Sequence, residues 1–183
     1  MPNISEKKRA LRKQMGQLNR SFSDTYYSNK NKEITEALLE HALILNAKVI
    51  LSYWSMPKEA GTHTLNIELQ KAGKTIILPV INDNTLDLKV FYGFEKMKPE
   101  PKYGILEPQG EIFTDFGAID LVIVPGVAFT KDGERCGHGK GYYDRLLPKI
   151  SSAYTIGLGY KHQLVEDIPI DEFDATLNEV YCV

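Results

Sequence analysis

The stretch DLVIVPG, Asp120 to Gly126, carries four successive large apolar residues, three of them β-branched, and stops at a Pro-Gly break. A strand with no polar alternation is buried on both faces, which is the habit of parallel sheets covered by helices on either side. Working outward, KVILSYW (Lys48–Trp54) has the same character. KTIILPV (Lys74–Val80), LDLKVFY (Leu86–Tyr92), AYTIGLGY (Ala153–Tyr160) and EVYCV (Glu179–Val183) extend the set of strands. Between them run helical patterns. SEKKRALRKQMGQL puts Leu11, Met15 and Leu18 on one stripe, with Ser5 placed to cap it. SDTYYSNKNKEITEALLEHALIL brings Ile34, Leu38, Leu39 and Ala42 together. THTLNIELQKAG starts at Thr62 and stops near Gly73, and YYDRLLPKI yields at Pro148. Helices alternating with apolar strands predict an α/β fold, a single-domain three-layer α/β/α sandwich over residues 1–183 with a mostly parallel central sheet. The segment from Gly93 to Gly117 is rich in Pro and Gly and weak in periodicity, and reads as a long connection of the kind that often carries function.

Bulk properties narrow the function. An apolar fraction of 43% and a charged fraction of 25% are those of a soluble globular protein. A net charge of −2 argues against general nucleic-acid binding. Two distant cysteines, Cys136 and Cys182, match no metal-ligand spacing and favour a reducing compartment. The N-terminus lacks the apolar core of a signal peptide, and no run reaches the roughly 20 apolar residues that span a bilayer. The expectation is a cytoplasmic protein without a membrane partner.

Beyond DLVIVPG lies RCGHGKGYYDR, Arg135–Arg145, with Gly137, Gly139 and Gly141 at alternate positions among basic residues. Ligands of open α/β sheets bind beyond the carboxyl ends of the strands, where this loop falls. It is neither G-x-x-x-x-G-K-[ST] nor G-x-G-x-x-G. The glycines alone fit a plain turn. With Arg135, His138 and Lys140 beside them and a helix following, they read as a phosphate cradle. Asp144, in the first turn of that helix, either complements the helix dipole or holds Mg²⁺ beside phosphate oxygens. Lys8 and Arg12, four apart on one helix face, are either solvated or reach a polyphosphate. Trp54 and Glu59, after the first strand, suit a flat heterocycle with exocyclic N–H donors, or core and surface respectively. His63 and His162 form no dyad pattern.

VIVPGVAFTKDGERCGHGKGYYDRLL closely resembles the signature of the 5-formyltetrahydrofolate cyclo-ligase (methenyltetrahydrofolate synthetase) family. KRALR, YWSMPKEAGT, GILEP and DEFDATLNEV follow in the family's order, so the likeness spans nearly the whole chain. The resemblance implies ATP- and Mg²⁺-dependent cyclisation of 5-formyltetrahydrofolate to 5,10-methenyltetrahydrofolate, with ADP and phosphate released. It implies ATP contacts from Lys8, Arg12, Arg135, Cys136, Gly137, His138, Gly139, Lys140, Gly141 and Tyr142. It assigns Trp54, Glu59 and Tyr143 to the folate, Asp144 and Asp174 to Mg²⁺, and the chemistry to Tyr143, Asp144 and Lys140. The partners expected are the two small substrates alone, with the chain a monomer or weak homodimer. Cys136 stands where leucine is usual, His138 where an aromatic residue or arginine is, and Val80 where arginine is frequent. The competing reading is a non-catalytic folate or nucleotide binder, which would show damage in the cradle or at Asp144.

Overall fold

A computed structural model of the chain describes residues 3–100 and 104–183. Helices α1 (Ile4–Ser21), α2 (Asp24–Glu40) and α3 (Ala42–Asn46) precede strand β1 (Val49–Leu51). Next come α4 (His63–Lys71), β2 (Thr75–Asn82), β3 (Thr85–Phe91), and the short β4 (Met97–Pro99) and β5 (Leu106–Pro108). The chain continues through β6 (Leu121–Pro125), β7 (Ala128–Phe129), β8 (Arg135–Cys136), α5 (Tyr142–Leu146), β9 (Tyr154–Gly159) and β10 (Glu179–Cys182). The central sheet has the order β10-β9-β6-β1-β2-β3, parallel throughout except for β3, which returns antiparallel on β2. Of the long connection predicted over 93–117, residues 101–103 lie outside the described residues, and β4 and β5 pair as a small antiparallel ribbon.

Alternate residues of the sheet serve two cores. Ile50, Ile76, Leu78, Leu121, Ile123, Ile156 and Leu158 pack with Ile34 and Leu38 of α2, Ile44 of α3, and Leu65 and Leu69 of α4. Leu51, Ile77, Val122 and Val124 face the other way, against Leu146, Leu147, Ile150 and Phe129. Every residue of β6 is buried, as its unbroken apolar run predicts. The stripe of α1 covers a third cluster, where Met15, with Leu11 and Leu18, meets Ala128, Cys136 and Ile168.

Three boundaries differ from the sequence reading. The α1 cap is Asn3, not Ser5: Asn3 Oδ1 accepts from the Glu6 N–H at 2.9 Å while Glu6 Oε2 accepts from the Asn3 N–H at 2.9 Å, a reciprocal capping box. The helix predicted to run through Ala42 breaks at His41, whose backbone is extended (φ −69°, ψ 125°) and whose imidazole meets Glu179 Oε1 at 3.1 Å, leaving Ala42 exposed. Strand β1 stops well short of Trp54 because the Tyr53 carbonyl turns to α4, accepting from Thr62 Oγ1 at 2.5 Å and Asn66 Nδ2 at 2.9 Å. The β2–β3 turn, Asp83-Asn84, has Asp83 in the left-handed region (φ 51°). It is tied to α5: Arg145 Nη2 donates to the Asn84 carbonyl at 2.7 Å and the Tyr142 hydroxyl to that of Asp83 at 3.2 Å.

Candidate active site

The parallel strands end along one edge, and the chain leaving β6 there builds one side of a cleft. The β7–β8 ribbon, with Phe129 opposite Arg135, returns the chain to that edge and delivers Arg135 almost fully buried. Its guanidinium donates to the Pro125 carbonyl at 3.3 Å and, through Nη2, to Asp144 Oδ1 at 2.6 Å, and lies 5.7 Å from the centre of the Tyr143 ring. Residues 137–141 then pass over this pair. Gly139 and Gly141 lie at φ 96° and 64°, where a side chain is strained, and a Cβ on Gly137 would come within 2.5 Å of Arg135 Nη1. Among the described residues, none of the N–H groups of 137–141 has an acceptor within the protein. Such a run of unpaired amides needs water or an anion.

The opposite side comes from α1 and the segment before β10. Arg12 Nε donates to the Gly137 carbonyl at 2.7 Å. Lys8 is buried, with Nζ on Asp171 Oδ2 at 3.1 Å and in direct contact with Asp174 Oδ2. Burial pulls the Lys8 ammonium down, but the hydrogen bonds it donates to Asp174 and Asp171 outweigh it and hold the ammonium above its ordinary range. Asp174 Oδ2 also accepts from the Asp171 N–H at 2.7 Å.

Lys8, Arg12, Arg135, Gly137, Gly139, Gly141, Asp144 and Asp174 thus line one cleft of about 670 Å³. That volume lies in the range of small-molecule sites. The other expected residues stand off its wall. Cys136 is buried beneath it, its thiol pushed up by burial. Lys140 and His138 are exposed, and Tyr142 is engaged with the Asp83 turn. Sequence reasoning passed over Arg145, Asp171 and Phe173, which do line the cleft. Arg145 ends the glycine stretch itself, and the DEFD spacing marks Asp171 beside Asp174. Helix α5 is only five residues long, so the predicted helix-dipole contribution is small. Lys8 and Arg135 are paired with carboxylates, which leaves the loop amides with Arg12 and Arg145 to face an anion.

Glu59 occupies the far side of the loop. Lys58, at φ 70°, turns the chain back so that Glu59 Oε2 accepts from the Met56 N–H at 2.8 Å. Its Oε1 lies 2.8 Å from His138 Nε2. The Tyr143 hydroxyl is buried without a partner among the described residues, and burial, with the Glu59 charge, raises its pKa far above the ordinary phenol range. Trp54 lies apart from the cleft, stacked on His63 with ring centres 4.0 Å apart. Val80 is buried in β2. Glu59 and His63 also border a second cleft of about 740 Å³, under α2.

Among the described residues no three His, Cys, Asp or Glu side chains converge on one point. Mg²⁺ does not require it, since one or two carboxylates suffice beside substrate phosphates. Asp144 fits, because Oδ2 has no partner among the described residues while Oδ1 is fixed by Arg135. Asp174 is held by Lys8 as it stands.

Fold and cleft together define an α/β protein with a cleft of paired cations and carboxylates at the carboxyl edge of its sheet. The sequence model of the 5-formyltetrahydrofolate cyclo-ligase family matches residues 4–183, and the chain belongs to that family. It is 30% identical over 190 residues to the 5-formyltetrahydrofolate cyclo-ligase of Mus musculus, covering 97% of this chain and 94% of that protein. It is 27% identical to that of Escherichia coli K12, covering 90% and 93%. The solved 5,10-methenyltetrahydrofolate synthetase of Aquifex aeolicus superposes with a TM-score of 0.83 at 29% identity, over 94% of this chain and 88% of that one. That of Mycoplasma pneumoniae gives 0.74 at 25% identity, over 94% and 96%.

Proposed function

We propose that this chain, as one domain, performs its family's reaction: ATP-dependent cyclisation of 5-formyltetrahydrofolate to 5,10-methenyltetrahydrofolate with release of ADP and phosphate. The observation that carries the reading is the set of unpaired amides of 137–141, in a loop edged by buried or half-buried cations on one side and by Glu59 on the other. The loop amides, Lys8, Arg12 and Arg135 bind the ATP phosphates, with Lys140, Tyr142 and Cys136 supporting the loop. Asp144 would hold Mg²⁺, whose charge would offset that of the phosphates, and Asp174 would be its second carboxylate if Lys8 turned to phosphate. Glu59 accepts the N–H donors of the pterin, and Trp54 and Tyr143 supply aromatic surface.

In the first step the formyl oxygen attacks the γ-phosphorus, the bond to the β-phosphate oxygen breaks, and ADP leaves. N10 then adds to the activated formyl carbon and loses its proton. The carbon–oxygen bond breaks, and inorganic phosphate leaves with the former formyl oxygen. Such chemistry asks for alignment and charge neutralisation rather than a side-chain nucleophile. We assign that work to Tyr143 and Asp144, with Lys140, exposed on the loop, adding charge. Cradle and Asp144 are intact, where a non-catalytic binder would have lost one of them. We take the chain to act in the cytoplasm as a monomer or weak homodimer. No helix among the described residues is long and apolar enough to cross a membrane. The test is near-UV absorbance of the protein with 5-formyltetrahydrofolate and Mg-ATP. Growth of the methenyl band only when ATP is present supports the reading, and its absence with both ligands bound overturns it.

A further inference from the structure

His138 belongs by position to the cradle, yet its ring turns away from the phosphate cleft and meets the carboxylate assigned to the pterin, Nε2 to Glu59 Oε1 at 2.8 Å. The two groups differ in setting: the His138 side chain is 48% exposed, whereas that of Glu59 is 12% exposed and its second oxygen is already fixed by the Met56 N–H. His138 therefore closes the last freedom of a carboxylate that is otherwise positioned. Its own backbone is restrained by the residues on either side. The Gly137 carbonyl is held by Arg12 Nε at 2.7 Å, and Gly139 lies so close to the Arg12 guanidinium that an added Cβ would sit 3.3 Å from its carbon. Arg12 lines the phosphate cleft. A phosphate taking hydrogen bonds from Arg12 and from the amides of 137–139 must change or stiffen the backbone that carries His138. The imidazole delivers that change to Glu59.

From this chain of contacts we infer that His138 is a positioning residue that couples the two substrate sites, so that a filled phosphate cradle tightens folate binding through Glu59. The inference rests on the assignment of the cradle to ATP and of Glu59 to the folate. Coupling of this kind is a reciprocal free energy, commonly a factor of about 5 to 150 in affinity. It needs no shape change if the first ligand merely removes mobility that the second would otherwise have to remove. Glutamine at 138 can offer an amide N–H toward Glu59, while alanine cannot, and the half-exposed site tolerates either without loss of core packing.

The experiment is calorimetric titration of 5-formyltetrahydrofolate into the protein with Mg²⁺, alone and with saturating β,γ-methylene-ATP, which cannot transfer its terminal phosphoryl group. Wild type is expected to bind folate about fivefold tighter or more when the analogue is present. His138→Ala is expected to bring that ratio to within about twofold of unity, and His138→Gln to restore most of it. The analogue's own affinity for the alanine variant, without folate, should stay near that of wild type, because the ring does not face the phosphates. A wild-type ratio of one, or an unchanged ratio in His138→Ala, overturns the coupling while leaving the assignment of the sites standing. No folate or analogue binding to wild type would remove both. Loss of analogue affinity in His138→Ala with the ratio preserved would return His138 to the nucleotide.

Discussion

Replacing Asp144 separates its two duties. The Arg135 side chain is 3% exposed and that of Asp144 is 21% exposed, so the pair sits at the mouth of the core with water reaching only the carboxylate. Breaking a fully buried pair costs about 3–5 kcal/mol because a charge is left unpaired. Here Arg135 keeps the Pro125 carbonyl and the Tyr143 ring, but its Nε already lacks a partner among the described residues. The open side brings the loss for Asp144→Ala down to about 2–3 kcal/mol. At about 2–4 °C per kcal/mol for a chain of this size, Tm falls by about 5–10 °C. Asp144→Asn keeps an oxygen for Arg135 Nη2 and forfeits only the charge assistance, about 1 kcal/mol. Turnover behaves otherwise, since neither alanine nor asparagine gives Mg²⁺ an anionic ligand: both should lose about 100-fold or more in kcat at saturating Mg-ATP. Calorimetric melting beside the absorbance assay gives both scales. Near-normal turnover in the asparagine variant, or turnover that falls in step with Tm across the two variants, would refute the metal assignment.

Lys8→Met should raise the KM for ATP about tenfold, the effect of one modest charge contact (~1.4 kcal/mol); an unchanged KM would leave Lys8 as nothing more than a clamp on Asp171 and Asp174. Tyr143→Phe removes a buried hydroxyl that has no partner among the described residues, so Tm should hold or rise slightly while folate KM worsens or kcat falls; a fall in Tm with normal kinetics would show the hydroxyl to be structural. Asp120 accepts the Lys48 and Val49 N–H groups at 2.7 and 2.9 Å, and these hold its carboxyl below the usual range. Its contribution is therefore present at neutral pH and lost as pH falls through its lowered folded value. Asp120→Ala should cost about 1 kcal/mol at pH 7, with the gap to wild type closing below about pH 4, and a constant gap would contradict this. Gly133→Ala would drive a methyl into the Leu177 carbonyl at a φ of 91°, and a melting loss under about 5 °C would mean that this turn relaxes easily.

What could be read from the sequence was what depends on neighbours along the chain. The unbroken run in β6 announced burial on both faces, the spacing of Leu11, Met15 and Leu18 announced the face of α1, and the alternate glycines announced a loop with unusual backbone freedom. What escaped is set by partners far away in sequence. Nothing in Glu40-His41-Ala42 signals a break, since the restraint on His41 comes from Glu179. Trp54 looked like the end of a strand because the Tyr53 carbonyl is diverted by Thr62, the cap of α4, and by Asn66 within it, a nearer reach that strand periodicity still does not register. Lys8 and Arg12 were legible as a pair on one face, but their partners, Asp171 with Asp174 and the Gly137 carbonyl, stand more than a hundred residues downstream. The Asn3–Glu6 box, by contrast, was visible in the spacing and was passed over for the nearer serine.

The Asp83-Asn84 turn bears on how this protein can be re-engineered. It is short, polar and on the surface, the sort of place usually chosen to insert a tag, a sensor module or new termini. Its carbonyls, however, are the seats for Tyr142 and Arg145, and the other arm of Arg145 holds the Lys140 carbonyl at 3.0 Å. The turn works as an outrigger for the glycine loop, almost sixty positions away in sequence. A graft there would leave the sheet standing and loosen the loop proposed to hold the nucleotide.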